Sequence, residues 1–183
     1  MSNLEFKRLD RSLKYTGNRI TVYEDVYLLP DGNKINYDYV KNKDGSAVLL
    51  VDEEGKLIFV KQYRPVPGRV CLEIPAGSLE FEGEDFEACA RREAGEETGY
   101  VPSELTFLAE VNPIPGFVEE RTRVYIGTGL KKTERMLDAE EFIDVVKLTP
   151  GEARALVADG SIVDCKTIIS IFAYGFDSKN VLK

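Results

Sequence analysis

Residues 84–99, EDFEACARREAGEETG, form the stretch of this sequence that decides the fold. Alanine, glutamate and arginine predominate in it, and all three are strong helix formers. Gly99 stands where a helix C-cap is expected, so we predict a helix from Glu84 to Thr98. Segments with strand character surround this helix on both sides, which indicates a mixed α and β architecture.

The acidic residues of this helix do not lie opposite its apolar face, as they would on a solvated helix. At about 100° per residue, Glu97 lies roughly 40° from Glu93, and Glu96 lies roughly 60° from it on the other side. An apolar stripe lies within about 60° of Glu93 and consists of Phe86, Cys89 and Ala90. The carboxylates therefore extend the inward face of the helix, where an unpaired carboxylate costs several kcal/mol.

Compensation for these inward carboxylates points to a divalent cation. Arg92 is placed to pair with Glu96 at i,i+4, which leaves Glu93 and Glu97 without a cationic partner on the helix. Mg²⁺ or Mn²⁺ suits carboxylate ligands far better than zinc does. A second acidic cluster precedes a predicted strand and is a source of further ligands or of a base; it consists of Asp138, Glu140 and Glu141.

The composition limits the chemistry that is open to the chain. Its 183 residues include no histidine, which removes the commonest general base, so carboxylates must do any acid–base work. The net charge of -8 argues against a nucleic-acid or anionic-membrane surface. A phosphate-bearing substrate would need local positive charge from a few arginines or from cations held by carboxylates.

Length and apolar patterning favour a single domain with a modest extension, located in the cytoplasm. No apolar run approaches the roughly 20 residues of a membrane span, and residues 1–10 lack the apolar stretch of a signal peptide. The cysteines have no paired spacing, so we expect small buried residues rather than disulfides or a zinc site at Cys71, Cys89 and Cys165.

The remaining elements are predicted in the order strands, helix, strands, helices. The predicted strands are 19–29, 34–41, 46–51, 56–63, 70–74, 105–111, 123–129 and 142–148. One closing helix starts near Pro150 and runs to Ala158, and another follows Asp164 as its N-cap and runs to about Tyr174. We expect an α/β (α+β) fold with a mixed sheet covered by helices at 46–183, preceded at 1–45 by a small antiparallel sheet.

The sequence around the acidic helix resembles the Nudix box. The family pattern is a glycine, five residues, a glutamate, seven residues and then Arg-Glu-apolar-x-Glu-Glu-x-Gly-apolar. Residues 92–100, REAGEETGY, match its second half without exception, whereas six residues rather than five separate Gly77 from Glu84. The additional residue falls in the loop before the helix, so the geometry of the carboxylates is expected to be intact.

The resemblance extends over about residues 20–172 and includes features of ADP-ribose pyrophosphatases. The segments VKQYRP at 60–65, LEIPAG at 72–77 and PIPGF at 113–117 resemble that branch. Pro115 follows Gly99 at about the spacing that marks the branch. The resemblance implies a Nudix-type α/β/α sandwich with a mixed sheet.

The resemblance also implies the residues that carry the chemistry. The implied metal ligands are the backbone carbonyl of Ala76 and the carboxylates of Glu93, Glu97 and Glu141. Glu96 and Arg92 complete the catalytic group. A position where the family usually has a further acid is Ala139 here. The expected base is therefore Glu140, with Glu120 as the alternative.

Substrate contacts are implied at four residues. Arg64 would hold phosphate, because a guanidinium is a bidentate donor. Glu73 is expected either to touch substrate or to form an ordinary surface salt bridge. Pro115 would mark the substrate loop, and Tyr23 is the aromatic expected to stack on the adenine.

By this resemblance the chain hydrolyses ADP-ribose to AMP and ribose 5-phosphate. Two or three Mg²⁺ ions, or Mn²⁺ in their place, would neutralise the pyrophosphate and lower the pKa of a water. Relatives are dimers whose N-terminal sheets exchange, so a homodimer is expected, and nucleic acids and membranes are not expected as partners.

Two alternatives stay open at this point. Because the box determines the bond that is cleaved and not the group beyond it, the substrate could be another nucleoside diphosphate sugar, such as GDP-mannose, or a dinucleotide. A non-enzymatic nucleotide-binding regulator could use the same fold. Such regulators tend to have lost box acids or to carry a DNA-binding domain, whereas all the box acids are present here.

Overall fold

Two groups of strands fold as separate units in the computed structural model of the chain, which describes residues 4–137 and 139–177. Of the described residues, the first unit contains 4–44 and Asn112–Arg121, and the second contains Gly45–Val111, 122–137 and 139–177. In chain order the elements are β1 (Lys7–Thr16), β2 (Thr21–Leu28), β3 (Lys34–Lys41), β4 (Gly45–Val51), β5 (Leu57–Arg64), β6 (Arg69–Glu73), β7 (Ala76–Ser78), α1 (Phe86–Thr98), β8 (Tyr100–Val111), β9 (Val118–Glu119), β10 (Thr122–Lys132), β11 (Ile143–Leu148), α2 (Pro150–Ala158) and α3 (Cys165–Asp177).

The first unit is a sheet with the strand order β1-β2-β3-β9. Strands β1, β2 and β3 pair in antiparallel fashion. The hairpin of β2 and β3 agrees with the small antiparallel sheet expected at 1–45, whereas β1 was not among the predicted strands. The prediction of a purely antiparallel sheet was incomplete, because β9 pairs with β3 in parallel through Val40 and Val118. Strand β9 comes from the connection between β8 and β10, and no local pattern in residues 1–45 indicates this distant partner.

The second unit is built on a sheet with the order β11-β5-β4-β10-β8, to which β6 adds beside β5 and β7 beside β4. Strands β4 and β10 are parallel, whereas the other pairs are antiparallel. The predicted mixed sheet is therefore confirmed. Strand β7, which the sequence did not reveal as a strand, places the Ala76 and Gly77 peptides beside Ala47 and Ser46 of β4.

Helices cover both faces of this second sheet, and β4 contributes side chains to both layers. Its residues Ala47, Leu49 and Val51 pack in one core cluster with Ala153 of α2 and Ile171 of α3. On the opposite face lies a second cluster, in which Val48 and Leu50 meet Ala90 and Ala94 of α1. The alternation follows from the two-residue period of a strand, and it confirms the α/β/α sandwich.

The helix ends agree closely with the sequence signals. Gly99 ends α1 in the left-handed conformation with φ 74°, which favours glycine. The N-terminus of α1 was predicted two residues too early, because Asp85 is the N-cap and accepts a hydrogen bond from the Ala88 N–H at 2.8 Å. Thr149 caps α2 in a capping box with Glu152, and Asp164 accepts from the Thr167 N–H at 3.0 Å to cap α3.

The three cysteines differ in burial, and the described helices are short. Cys71 and Cys89 are buried, but Cys165 is exposed at the first residue of α3, so the expectation of a small buried residue is wrong there. All three thiols are free. Within residues 4–137 and 139–177, no helix is long and apolar enough to cross a membrane.

Candidate active site

The inward glutamates of α1 are buried, as the angular positions predicted. Glu93 is 8% exposed and Glu97 is 4% exposed, whereas a third of the Glu96 side chain (33%) remains accessible. The carboxylates lie here because α1 packs its Ala90–Ala94 face on β4, and Glu93 and Glu97 continue that face. The helix therefore carries two acids into the interior of the second unit.

Arg92 binds a ring of oxygen atoms beside this helix. Its Nε donates to Glu84 Oε1 at 2.8 Å, its Nη1 donates to Glu93 Oε1 at 2.7 Å and to Glu96 Oε2 at 3.0 Å, and its Nη2 donates to the Ser78 carbonyl at 3.0 Å. The pairing with Glu96 is confirmed. The prediction that Glu93 has no cationic partner on the helix is wrong, because the forked guanidinium reaches its sequence neighbour as well.

Glu97 is the acid that still lacks a compensating cation. Its Oε2 accepts a hydrogen bond from the Ala76 N–H at 3.2 Å, and among the described residues no lysine or arginine forms an ion pair with it. Burial, followed by the charge of Glu93, raises the pKa of Glu97 to about 8. Burial also raises the pKa of Glu93 to about 7, although Arg92 opposes the shift.

Gly77, which has no Cβ atom, allows β7 to lie close to Glu93 of α1. A Cβ atom added to Gly77 would lie only 1.9 Å from Glu93 Oε1. No other residue type fits between β7 and the carboxylate without moving one of them. The N–H group of the neighbouring Ala76 donates a hydrogen bond to Glu97, so the Ala76–Gly77 segment lies against both buried acids.

A cation held at this site would have oxygen donors around it. The donors that lie together are the carboxylates of Glu93 and Glu97 beside the Ala76 peptide, and oxygen donors suit Mg²⁺ or Mn²⁺. In the described part of the chain, no three Asp, Glu or Cys side chains are arranged as a complete cation site.

The acidic loop before β11 approaches the same end of α1. Arg135 Nε donates to the Glu97 carbonyl at 2.8 Å, and its Nη2 donates to the Ile143 carbonyl at 2.7 Å, so one side chain joins both ends of the loop to the helix. The charge of Glu141 contributes to the raised pKa of Glu97. Glu140 is exposed beside Ala139, and Asp138 lies outside the described residues.

Arg64, the last residue of β5, forms an ion pair with Glu73, the buried last residue of β6. Nε and Nη2 of Arg64 donate to Oε1 and Oε2 of Glu73, both at 2.8 Å. Lys166 of α3 donates to the same Glu73 Oε2 at 2.9 Å. A salt bridge, one of the two expectations for Glu73, therefore forms, although Glu73 itself is buried, at 5% exposed. Sequence reasoning missed Lys166, although a lysine two residues after the N-cap Asp164, in a first helical turn where a cation is unusual, was a usable signal.

The other predicted substrate residues belong to the first unit. Tyr23 packs against Tyr39, with ring centroids 5.8 Å apart, and its ring lies 5.2 Å from the Arg11 guanidinium carbon. Pro115 lines a groove of about 420 Å³, and Tyr39 lines the same groove. Glu120, the alternative base, accepts from Asn42 Nδ2 at 2.6 Å. The sequence did not reveal this groove, whose further aromatic residues are Phe6, Tyr27, Tyr37 and Phe117.

Comparison with known proteins shows the family and the fold. The NUDIX domain model matches residues 41–163. The chain is 38% identical over 173 residues to an ADP-ribose pyrophosphatase of Bacillus subtilis (strain 168), covering 93% of each chain. It is 34% identical over 169 residues to a methanol dehydrogenase activator of Bacillus methanolicus, covering 91% of each. A solved structure of an ADP compounds hydrolase shares the fold with a TM-score of 0.87 at 19% identity, covering 98% of this chain and 97% of that one. The chain belongs to the Nudix family.

Proposed function

We propose that the protein hydrolyses the pyrophosphate bond of ADP-ribose to give AMP and ribose 5-phosphate, using Mg²⁺ or Mn²⁺. The observation that carries the metal site is Glu97, a carboxylate that is 4% exposed and has no ion pair with a described residue. Because burial raises the pKa of Glu97 to about 8, its charged form at neutral pH needs a nearby cation, which a divalent ion beside a pyrophosphate would supply.

The proposed ligands are the Ala76 carbonyl with Glu93, Glu97 and Glu141. Two or three bound ions would supply positive charge to the pyrophosphate oxygens and make a water more acidic. Arg92 and Glu96 hold Glu93 in place through the hydrogen bonds of the guanidinium. Arg64 donates to a phosphate oxygen through the N–H groups that Glu73 does not use.

Glu140 is the proposed base that orients or deprotonates the attacking water. Its support is its position in the loop that Arg135 joins to the Glu97 end of α1, and its exposed side chain. Glu120 is the second candidate. With no histidine in the chain, a carboxylate is the side chain available for this step at neutral pH.

Tyr23 and Pro115 are proposed contacts for the nucleoside end of the substrate, and Glu73 takes part through Arg64. A homodimer is part of the proposal and is supported by β1, an edge strand that exposes Leu9, Leu13 and Tyr15. A cytoplasmic location is supported by the free thiols, which suit a reducing compartment.

A substrate panel tests the proposed function. Initial rates are measured with Mg²⁺ and ADP-ribose, GDP-mannose, NADH or a diadenosine polyphosphate, and kcat/KM is expected to be highest for ADP-ribose. A poor rank for ADP-ribose would overturn the substrate assignment and favour another nucleoside diphosphate sugar or a dinucleotide. No hydrolysis of any of the four compounds would favour a regulatory role instead.

The raised pKa values of Glu93 and Glu97 predict how pH affects the metal-free protein. Between the ordinary glutamate pKa, about 4.3, and the folded values of about 7 and about 8, the folded state binds more protons than the unfolded state. The contribution of these two groups to the free energy of unfolding is therefore present at low pH and is lost as the pH rises through this window. Mg²⁺ binds the carboxylates, so its stabilising effect should be larger at pH 8 than at pH 6.

Thermal unfolding midpoints in EDTA and in Mg²⁺ at four pH values from 5.5 to 8.5 check this prediction. The chain has no histidine, so few ordinary side chains titrate in this window. Glu97→Gln should flatten the pH dependence of the metal-free midpoint. A midpoint in EDTA that rises with pH, or a Mg²⁺ effect independent of pH, would contradict the assignment.

A further inference from the structure

A lysine at the start of α3 is held in the interior although nothing in the proposed chemistry uses it directly. The Lys166 side chain is 18% exposed, and its Nζ donates to Asp164 Oδ1 at 2.7 Å and to Glu73 Oε2 at 2.9 Å. The first turn of a helix disfavours a cation, and burial of an ammonium group is costly. The helix dipole therefore does not explain a lysine at this position.

Glu73 is the residue that Lys166 and Arg64 share. The Glu73 carboxylate accepts two hydrogen bonds from Arg64 and one from Lys166, and each of its oxygens is used. Burial alone would raise the pKa of Glu73, but the Arg64 hydrogen bond and the charge of Lys166 outweigh it and lower that pKa to about 2. Glu73 is therefore a permanent anion that holds the side chains of Arg64 and Lys166 in place.

The ion pair with Glu73 uses only one edge of the Arg64 guanidinium. Nε and Nη2 of Arg64 face Glu73, whereas Nη1 has no hydrogen bond to a described residue, and 38% of the side chain is exposed. A guanidinium held on one edge presents its other edge in a defined direction, which suits bidentate contact with a phosphate.

The same turn of α3 also holds the strand that leads to the buried acids. The Thr167 hydroxyl donates to Asp164 Oδ2 at 2.5 Å and accepts from the Ile74 N–H at 2.9 Å. Ile74 directly follows Glu73 in the chain and precedes Pro75 and Ala76. The backbone that carries Glu73 is thus fixed from the same side as its carboxylate.

We propose that Lys166 is a positioning residue of the phosphate site, which holds Glu73 and through it keeps Arg64 oriented toward the pyrophosphate. This inference rests on the phosphate role proposed for Arg64. The four charged groups, Arg64, Glu73, Asp164 and Lys166, sum to zero, so loss of Lys166 also leaves one net negative charge where an anion binds.

Loss of Lys166 should appear in KM more than in kcat. Without Lys166 the Arg64–Glu73 pair is free to move, and ordering it then occurs when the substrate binds. Once bound, the phosphate itself holds Arg64, and the acids of α1 are unchanged. A change that removes interactions common to the bound ground state and the transition state raises KM and leaves kcat largely intact.

The experiment compares Lys166→Met and Arg64→Met singly and together, with ADP-ribose and Mg²⁺. Methionine keeps most of the lysine stem, and Lys147→Met is the matched control, because Lys147 forms an equivalent 2.8 Å pair with Asp52. We expect Lys166→Met to raise KM about tenfold with kcat changed by less than about threefold. In the Arg64→Met background it should raise KM no further, since residues that act through one another are not additive.

The possible outcomes separate this inference from the proposed function. Equal effects of Lys166→Met in both backgrounds, or a loss confined to kcat, would overturn the positioning role and leave ADP-ribose hydrolysis standing. Wild-type kinetics in Arg64→Met would overturn the phosphate role of Arg64 and this inference with it. If Lys166→Met does not fold, Glu73→Gln replaces it in the same cycle, because the glutamine amide has one accepting oxygen where the carboxylate uses two, and its NH2 group only donates.

Discussion

Replacement of Glu97 by glutamine is expected to lower kcat/KM for ADP-ribose by about 10³-fold while the protein remains folded. The change removes one negative charge at nearly constant volume from a side chain that is 4% exposed. A divalent ion contributes several kcal/mol to charge stabilisation in such a reaction, and each 1.36 kcal/mol is about tenfold in rate. The Ala76 N–H keeps an acceptor, because the glutamine amide still has its oxygen.

Glu87→Gln is the matched control for this prediction. Glu87 lies on the same helix and is exposed, so its loss should leave kcat/KM within about twofold, as surface substitutions usually have small effects. The two variants are compared at several Mg²⁺ concentrations, and Glu97→Gln should also need more Mg²⁺ for half-maximal rate. Wild-type turnover in Glu97→Gln would refute the metal role of this residue.

Alanine at Gly77 is the second change for which we expect a large effect, about 10²-fold in kcat/KM. The new methyl carbon would lie 1.9 Å from Glu93 Oε1, so the carboxylate or β7 must move. Glu93 has a flexible side chain and can retreat, which keeps the expected cost in stability small. Its retreat, however, breaks the 2.7 Å hydrogen bond to Arg92 and shifts a proposed metal ligand.

The control for Gly77→Ala is Gly151→Ala in α2. A Cβ at Gly151 would meet only Thr149 Oγ1, at 3.9 Å, and alanine favours a helix. Gly151→Ala should therefore keep full activity and lose no stability. The test compares kcat/KM and the thermal unfolding midpoint of the two variants. Full activity in Gly77→Ala would mean that the close approach of β7 to Glu93 has no role in catalysis.

Local signals explain why much of the second unit could be predicted from sequence. The inward position of Glu93 and Glu97 follows from helix periodicity, and the end of α1 follows from Gly99. The capping box of Thr149 and Glu152 involves residues three apart, so the sequence displays it directly. In each case the interacting residues are neighbours in the chain.

Features that depend on distant residues were not predicted. Strand β9 pairs with β3 through Val40 and Val118, which are far apart in the chain, and Lys166 lies 93 positions after Glu73. The pairing of Arg92 with Glu93 escaped prediction for a different reason, since adjacent helical residues seldom face each other. Cys165 was misjudged because apolar neighbours in the sequence do not determine which side of α3 is covered.

The central claim is that buried acids of α1 hold a divalent ion for cleavage of a pyrophosphate. The most direct test follows the ³¹P NMR spectrum of ADP-ribose incubated with the protein in Mg²⁺, in EDTA, and in EDTA with Mg²⁺ then added in excess. We expect the two diphosphate resonances to give way to two phosphomonoester resonances with Mg²⁺, to persist in EDTA and to disappear again when Mg²⁺ is restored. Diphosphate resonances that persist with Mg²⁺, or cleavage that continues unchanged in EDTA, would contradict it.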